Sequence, residues 1–107
     1  MTLYFEVPQD KIPSAGQRSY LKIGEQTFIL FNVDRHLYAI EDQCPHQGAS
    51  FFSGKLDGCT IQCPAHGLRF NLTDGCMVNS ALLKLKTCAI EHKDERVFIV
   101  LESEVQV

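Results

Sequence analysis

The stretch from Cys44 to Phe70 reads CPHQGASFFSGKLDGCTIQCPAHGLRF and contains two short arms that each begin with Cys-Pro. The first arm carries Cys44 and His46, and the second carries Cys63 and His66. Two thiolates and two neutral imidazoles suit a transition metal. A zinc finger usually takes its two cysteines from one arm and its two histidines from the other. Because each arm here has one of each, the pattern allows two metal ions, one held by the cysteines and one by the histidines.

The two arms resemble the Rieske [2Fe–2S] motif, Cys-x-His followed by Cys-x-x-His, of small soluble Rieske ferredoxins. CPHQGA and CPAHGLRF carry the likeness, together with Gly48, Gly67 and the later Asp74-Gly75. The resemblance covers nearly the whole chain. It implies an all-β fold, a Rieske-like three-sheet antiparallel β sandwich. It also implies a single domain over residues 1–107, with a cluster-binding subdomain over about residues 42–75.

The resemblance implies one [2Fe–2S] cluster as cofactor. Carried over position by position, Cys44 and Cys63 hold the inner iron, and His46 and His66 hold the outer iron near the surface. Replacing two cysteines by histidines on one iron raises the potential above that of an all-cysteine ferredoxin. Two thiolates balance the charge of two ferric ions and two sulfides. Four thiolates would leave a dianion, to which an electron is harder to add.

Four positions indicate a potential at the low end of the Rieske range. High-potential Rieske proteins of respiratory complexes have an extra cysteine in each arm, joined as a disulfide, where this chain has Ala49 and Ala65. Those proteins also place a serine and a tyrosine hydroxyl near the cluster, where this chain has Leu68 and Phe70. Without these two hydrogen bonds the reduced state is less stabilised. We therefore predict a midpoint of about −150 mV rather than about +300 mV.

Composition limits the compartment and the partners. The chain has 107 residues, enough for one domain, and its net charge of −3 argues against nucleic acid or an anionic membrane as partner. It contains no apolar run of about 18 residues and no signal-peptide pattern at its N-terminus. Cys59, Cys76 and Cys88 are interpreted as small buried or strand-lining residues in a reducing cytoplasm. A disulfide between two of them is the alternative.

Short apolar runs between turn residues favour a β sandwich or barrel. Strands are predicted at residues 3–7, 17–23, 27–33, 36–41, 59–62, 69–72, 84–91 and 96–101. A loop or short helical turn is predicted at residues 49–54, and a polar turn at residues 92–95. The two arms then form the tips of adjacent hairpin-like loops.

Side chains near the arms are expected to shield the site and to steer a partner. Four apolar residues are predicted to limit water, although plain core packing explains them equally well: Phe51, Phe52, Leu68 and Phe70. Four acidic residues are predicted to form a rim that attracts a basic partner, with a plain solvated surface as the alternative. These are Glu41, Asp42, Asp57 and Asp74.

The function implied by the resemblance is that of a one-electron carrier without catalytic residues of its own. It would pass electrons from a flavin-dependent ferredoxin reductase to a terminal oxygenase of the aromatic-ring dioxygenase type. The alternative is a small Rieske-like subunit of a multi-component reductase such as assimilatory nitrite reductase. An oxygenase catalytic subunit would need a second domain with its own iron site. A zinc-bound interaction module would favour a different ligand spacing.

Overall fold

The computed structural model describes residues 2–44, 48–65, 67–80 and 82–102. The strands in these ranges are β1 (Thr2–Glu6), β2 (Arg18–Ile23), β3 (Gln26–Val33), β4 (His36–Glu41), β5 (Lys55–Asp57), β6 (Thr60–Gln62), β7 (Arg69–Asn71), β8 (Thr87–Lys93) and β9 (Arg96–Glu102). A short 3-10 helix, Gln9–Lys11, lies between β1 and β2. The all-β prediction is confirmed. None of the described segments forms a helix with the length and hydropathy of a membrane span.

Strand β8 divides the larger sheet into two halves. Six strands follow the order β1-β9-β8-β4-β3-β2, and β5-β6-β7 form a separate antiparallel sheet. The first residues of β8, Thr87 and Cys88, pair with β4, whereas residues 89–93 pair with β9. The two halves that share β8, together with the small sheet, form the three sheets of the sandwich.

Strand β3 is buried on both faces, which explains the continuous apolar run at residues 28–31. Successive side chains of a strand point to opposite faces. Ile29 and Phe31 therefore join one buried cluster, and the residues that alternate with them join a second one. The first cluster also contains Cys44 and Cys63. The apolar interior below the two arms is thus continuous with one face of β3.

The boundaries of β8 differ from the prediction. The strand begins at Thr87 rather than at residue 84, because Leu85 is 1% exposed and fills the core while its N–H donates to the Gly75 carbonyl at 2.7 Å. The strand also extends through residues 92–93, which were predicted as a turn. The hairpin to β9 turns at Asp94 and Glu95 alone, whose φ values are 50° and 64°. Non-glycine residues rarely adopt this conformation, so the sequence gives little sign of so short a turn.

All five cysteines lie in the described ranges, and the thiols of Cys59, Cys76 and Cys88 are free. The alternative of a disulfide between two of them is therefore wrong. Cys88 is a half-buried residue of β8, as the strand-lining interpretation predicts. The interpretation as a buried or strand-lining residue is wrong for Cys76, which is exposed and lies on an isolated bridge beyond β7.

The thiols of Cys76 and Cys88 should differ in their rate of alkylation. Burial and, to a smaller extent, the charge of Glu41 raise the pKa of Cys88 to about 11, against the opposing effect of Lys86. Only the thiolate reacts with iodoacetamide, and about one Cys88 in a thousand is ionised at pH 8. We expect exposed Cys76 to be alkylated at pH 8 at least about tenfold faster than Cys88, as followed by peptide mass spectrometry.

The same experiment at higher pH separates ionisation from access. While the pH is below the pKa, each rise of one pH unit multiplies the thiolate fraction by about ten. The rate at Cys88 should therefore rise about a hundredfold between about pH 8 and pH 10. A rate at Cys88 that is independent of pH, or equal to that of Cys76 at pH 8, would contradict the raised pKa.

Candidate metal centre

Two loops with the same backbone hydrogen bonds carry the cysteines of the arms. The Cys44 N–H donates to the Ala49 carbonyl at 2.9 Å, and the Cys44 carbonyl accepts from the Gly48 N–H at 2.7 Å. The second loop repeats both bonds at Cys63, at 2.7 and 2.9 Å. Gly48 and Gly67 have φ values of 74° and 73°, a conformation that glycine adopts at little cost. In the described part of each loop, these hydrogen bonds fit the predicted pair of hairpin-like loops, and the positive φ of each glycine is an additional finding.

Both cysteines are buried in the same apolar cluster. Cys44 is 1% exposed and Cys63 is 0% exposed. Phe51 follows the first loop and Phe70 follows the second, and their rings meet edge to face with centroids 5.7 Å apart. Leu68 is partly buried and packs against this cluster. The predicted apolar surroundings of the two cysteines are confirmed for these three residues.

The prediction that Phe52 belongs to this apolar shell is wrong. Its side chain is 44% exposed and meets Tyr20 edge to face, with ring centroids 5.8 Å apart. Tyr20 lies on β2, an edge strand of the larger sheet. Phe51 and Phe52 are adjacent in a turn, and the chain buries one ring while it leaves the other at the surface.

Asp42 ties the end of β4 to the segment that follows the first loop. Its Oδ1 accepts from the Phe51 N–H at 2.6 Å, and its Oδ2 accepts from the Ser50 hydroxyl at 2.6 Å. The Asp42 N–H itself donates to the Thr27 carbonyl at 2.8 Å. From the sequence, Asp42 was predicted only as part of an acidic surface rim. An Asp at the start of a loop often accepts nearby backbone N–H groups, and this was the available signal.

The predicted acidic rim is largely engaged within the chain. Besides Asp42, Glu41 forms an ion pair with Lys86 at 3.7 Å, and Asp74 Oδ1 accepts from the Cys76 N–H at 2.8 Å. The fourth carboxylate of the rim is exposed on β5. Three of the four acidic residues thus have structural partners, but only Glu41 is paired with a cation, and the hydrogen bonds to Asp42 and Asp74 leave their charges in place.

A glutamine precedes each cysteine and lies against the glycine of the same loop. Gln62 Nε2 donates to the Gly67 carbonyl at 3.3 Å. In the first loop, a Cβ atom added to Gly48 would lie 3.7 Å from Gln43 Nε2. The sequence reads Gln-Cys-Pro-x-x-Gly at residues 43–48 and again at residues 62–67. This six-residue repeat signals two loops of the same shape, but the glutamines that open it were not used in the prediction.

His46 and His66 lie outside the described residues, so the set of four ligands stays a prediction. In the part of the chain that the structure describes, no group of three or more His, Cys, Asp or Glu side chains comes close enough to hold a metal ion. Two cysteines buried on like loops fit the thiolate half of an iron–sulfur site. The histidines follow these cysteines by two and three residues in sequence.

The chain is similar in sequence and in structure to Rieske ferredoxins. The Rieske [2Fe-2S] domain matches residues 2–89. Ferredoxin CarAc of Metapseudomonas resinovorans is 34% identical over 82 residues, which cover 76% of this chain and 77% of the relative. The 3-phenylpropionate/cinnamic acid dioxygenase ferredoxin subunit of Photorhabdus laumondii subsp. laumondii is 30% identical over 106 residues, with 97% and 99% covered. A chain from the complex of reduced oxygenase and oxidized ferredoxin in carbazole 1,9a-dioxygenase superposes with a TM-score of 0.75 at 30% identity, covering 98% of this chain and 97% of that one.

Proposed function

Because the chain belongs to the Rieske [2Fe-2S] domain family, we propose that it carries single electrons from a flavin-dependent ferredoxin reductase to a terminal oxygenase that acts on aromatic rings. The pair of like loops, which bury Cys44 and Cys63 in one apolar cluster, is the observation that carries the proposal. A dioxygenase ferredoxin subunit that aligns along almost its full length supports an oxygenase as the electron acceptor.

The proposed ligands of the cluster are Cys44, His46, Cys63 and His66, within a subdomain over about residues 42–75. When bound, the cluster takes up and releases one electron at a time. The chain holds it with the two loops and excludes water from the thiolates by burying both cysteines. Such an apolar shell controls solvent access and therefore the potential.

The proposed role is non-catalytic, because the protein supplies ligation, shielding and a docking face while the cofactor carries the electron. We also place the protein in the cytoplasm. The free thiols of Cys59, Cys76 and Cys88 support a reducing compartment, in which disulfides seldom persist.

The midpoint potential tests the proposed cluster environment. Phe70 is fully buried in the same cluster as the two cysteines, and neither it nor Leu68 has a hydroxyl that could donate to a sulfur. We expect a midpoint of about −150 mV, independent of pH near neutrality. The measurement is a redox titration of anaerobically purified protein, followed by EPR and repeated at several pH values. A rhombic signal of the reduced [2Fe–2S] cluster is expected.

Two other outcomes would contradict the proposal at different points. A midpoint of about +300 mV would show that other hydrogen bonds to the cluster replace the missing hydroxyls, and it would require a different donor and acceptor. Zinc in place of iron, persisting after anaerobic reconstitution with iron and sulfide, would rule out the electron carrier altogether.

A further inference from the structure

We propose that Asp42 is a positioning residue of the first loop, and that its negative charge lowers the potential of the cluster held there. This inference rests on the proposed function. Asp42 precedes Cys44 by two residues and is not one of the proposed ligands. Its two roles are separable, because one depends on hydrogen bonds and the other on charge.

Both carboxylate oxygens of Asp42 are used to close the loop. They accept from the Phe51 N–H and the Ser50 hydroxyl, each at 2.6 Å. The Ser50 Oγ in turn accepts from the Phe52 N–H at 3.1 Å. In sequence, the bonds from Asp42 to residues 50 and 51 enclose the bond between Cys44 and Ala49. Two successive sets of hydrogen bonds therefore close the base of the loop.

The closed segment also links the first loop to the second. Phe51, whose N–H is held by Asp42, is 0% exposed and packs edge to face on Phe70 beyond the second loop. The other end of the segment is held by Arg18, whose Nη1 donates to the carbonyls of Phe52 at 2.9 Å and Gly54 at 2.8 Å. The segment is therefore fixed at both ends, and Asp42 holds the end next to Cys44.

Among the described residues, Asp42 forms no ion pair with a cationic side chain. The two ion pairs found among the described residues join Lys86 to Glu41 and Arg96 to Glu6, so neither involves Asp42. Two residues of extended chain span at most roughly 7 Å, so the Cα atom of Asp42 lies within about this distance of the Cα atom of Cys44. A negative charge at such a distance opposes the arrival of an electron. Removing the charge should therefore raise the midpoint.

Two substitutions separate hydrogen bonding from charge. In Asp42→Asn the amide oxygen still accepts from the Phe51 N–H and the amide nitrogen donates to the Ser50 hydroxyl, so the loop stays closed without the charge. We expect the cluster content to equal that of the wild type. The equilibrium constant for one-electron reduction should rise about tenfold, which raises the midpoint by about 59 mV. In Asp42→Ala both bonds are lost. We expect the cluster to be released to an iron chelator about tenfold faster than from the wild type.

Asp94→Asn is the matched control, because it makes the same change in net charge. Asp94 lies in the exposed turn between β8 and β9, with a φ of 50° that asparagine tolerates. The turn lies on the order of 20 Å along β8 from the point where that strand pairs with β4. We expect Asp94→Asn to leave both the midpoint and the rate of cluster release at their wild-type values.

Hydrogen exchange provides a readout that does not depend on the cluster. The Phe51 amide should exchange faster in Asp42→Ala than in the wild type, and at the wild-type rate in Asp42→Asn. An Asp42→Asn midpoint equal to that of Asp94→Asn would overturn the charge effect. Unchanged exchange in Asp42→Ala would overturn the loop closure. A wild-type protein that binds no cluster would instead refute the proposed function, and hydrogen exchange would still decide how the loop is held.

Discussion

Replacing Cys63 by serine should abolish cluster binding, with iron and acid-labile sulfide falling to less than about a tenth of the wild-type content. Cys63 is 0% exposed, and its loop is fixed by hydrogen bonds at both the N–H and the carbonyl. A serine hydroxyl at this position is a poor ligand for iron and adds a buried polar group that costs about 1–3 kcal/mol if it finds no partner. Iron and sulfide analysis, visible absorbance and EPR of the purified protein measure the loss.

Two control substitutions separate ligand loss from general damage. Cys76→Ser removes a thiol that is exposed, and His92→Ala removes an exposed imidazole on β8. Both variants should keep the cluster and its midpoint. Cys44→Ser should behave like Cys63→Ser, because the two loops share the same pattern of hydrogen bonds. A Rieske EPR signal that survives in Cys63→Ser, or is lost in His92→Ala, would show that the proposed ligand set is wrong.

Replacing Gly75 by alanine should destabilise the fold by about 2–4 kcal/mol. Gly75 has a φ of 79°, and an added Cβ would lie well inside van der Waals contact with the carbonyl oxygen of Leu85. The backbone cannot shift easily, because the Gly75 N–H donates to Asn71 and its carbonyl accepts from the Leu85 N–H. Such a loss is a large part of the roughly 5–15 kcal/mol by which domains are stable. Urea unfolding followed by circular dichroism measures it.

Gly16→Ala is the matched control for Gly75→Ala. Gly16 has nearly the same φ, 81°, but an added Cβ would meet no atom within 4 Å. This substitution should cost only about 1 kcal/mol, the conformational penalty alone. The difference between the two variants isolates the collision with Leu85. Equal losses of stability in the two proteins would mean that the Leu85 carbonyl moves aside at little cost.

The alternation of apolar residues predicted most strands, and it placed β4 at residues 36–41 as observed. Elements set by contacts between distant residues were harder to predict. Leu85 leaves the line of β8 because its side chain packs in the core and its N–H donates to the Gly75 carbonyl, and nothing local in the sequence signals that. The small strand β5 has only three residues and needs β6 beside it to form.

In the candidate site, too, local features could be predicted and contacts between distant residues could not. The short strands that lead into the two arms predicted the loops, because strand patterns and turn residues are both local features. The bonds of Asp42 to residues eight and nine positions later depend on how the loop returns, which the sequence does not encode locally. The side to which Phe52 turns depends on Tyr20 of a distant strand. The histidine ligands and the bounds of the subdomain stay predictions.

The burial of β3 on both faces determines how much sequence variation this strand tolerates. A strand that covers a single core usually accepts polar residues at every second position, so that tolerance to substitution alternates along it. At residues 28–31 each side chain fills one of two separate cores. In a saturation mutagenesis experiment this strand should therefore show an unbroken block of four intolerant positions. Variants of Phe28 or Leu30 would weaken the core that Cys88 packs against, and variants of Ile29 or Phe31 would weaken the core that contains Cys44 and Cys63.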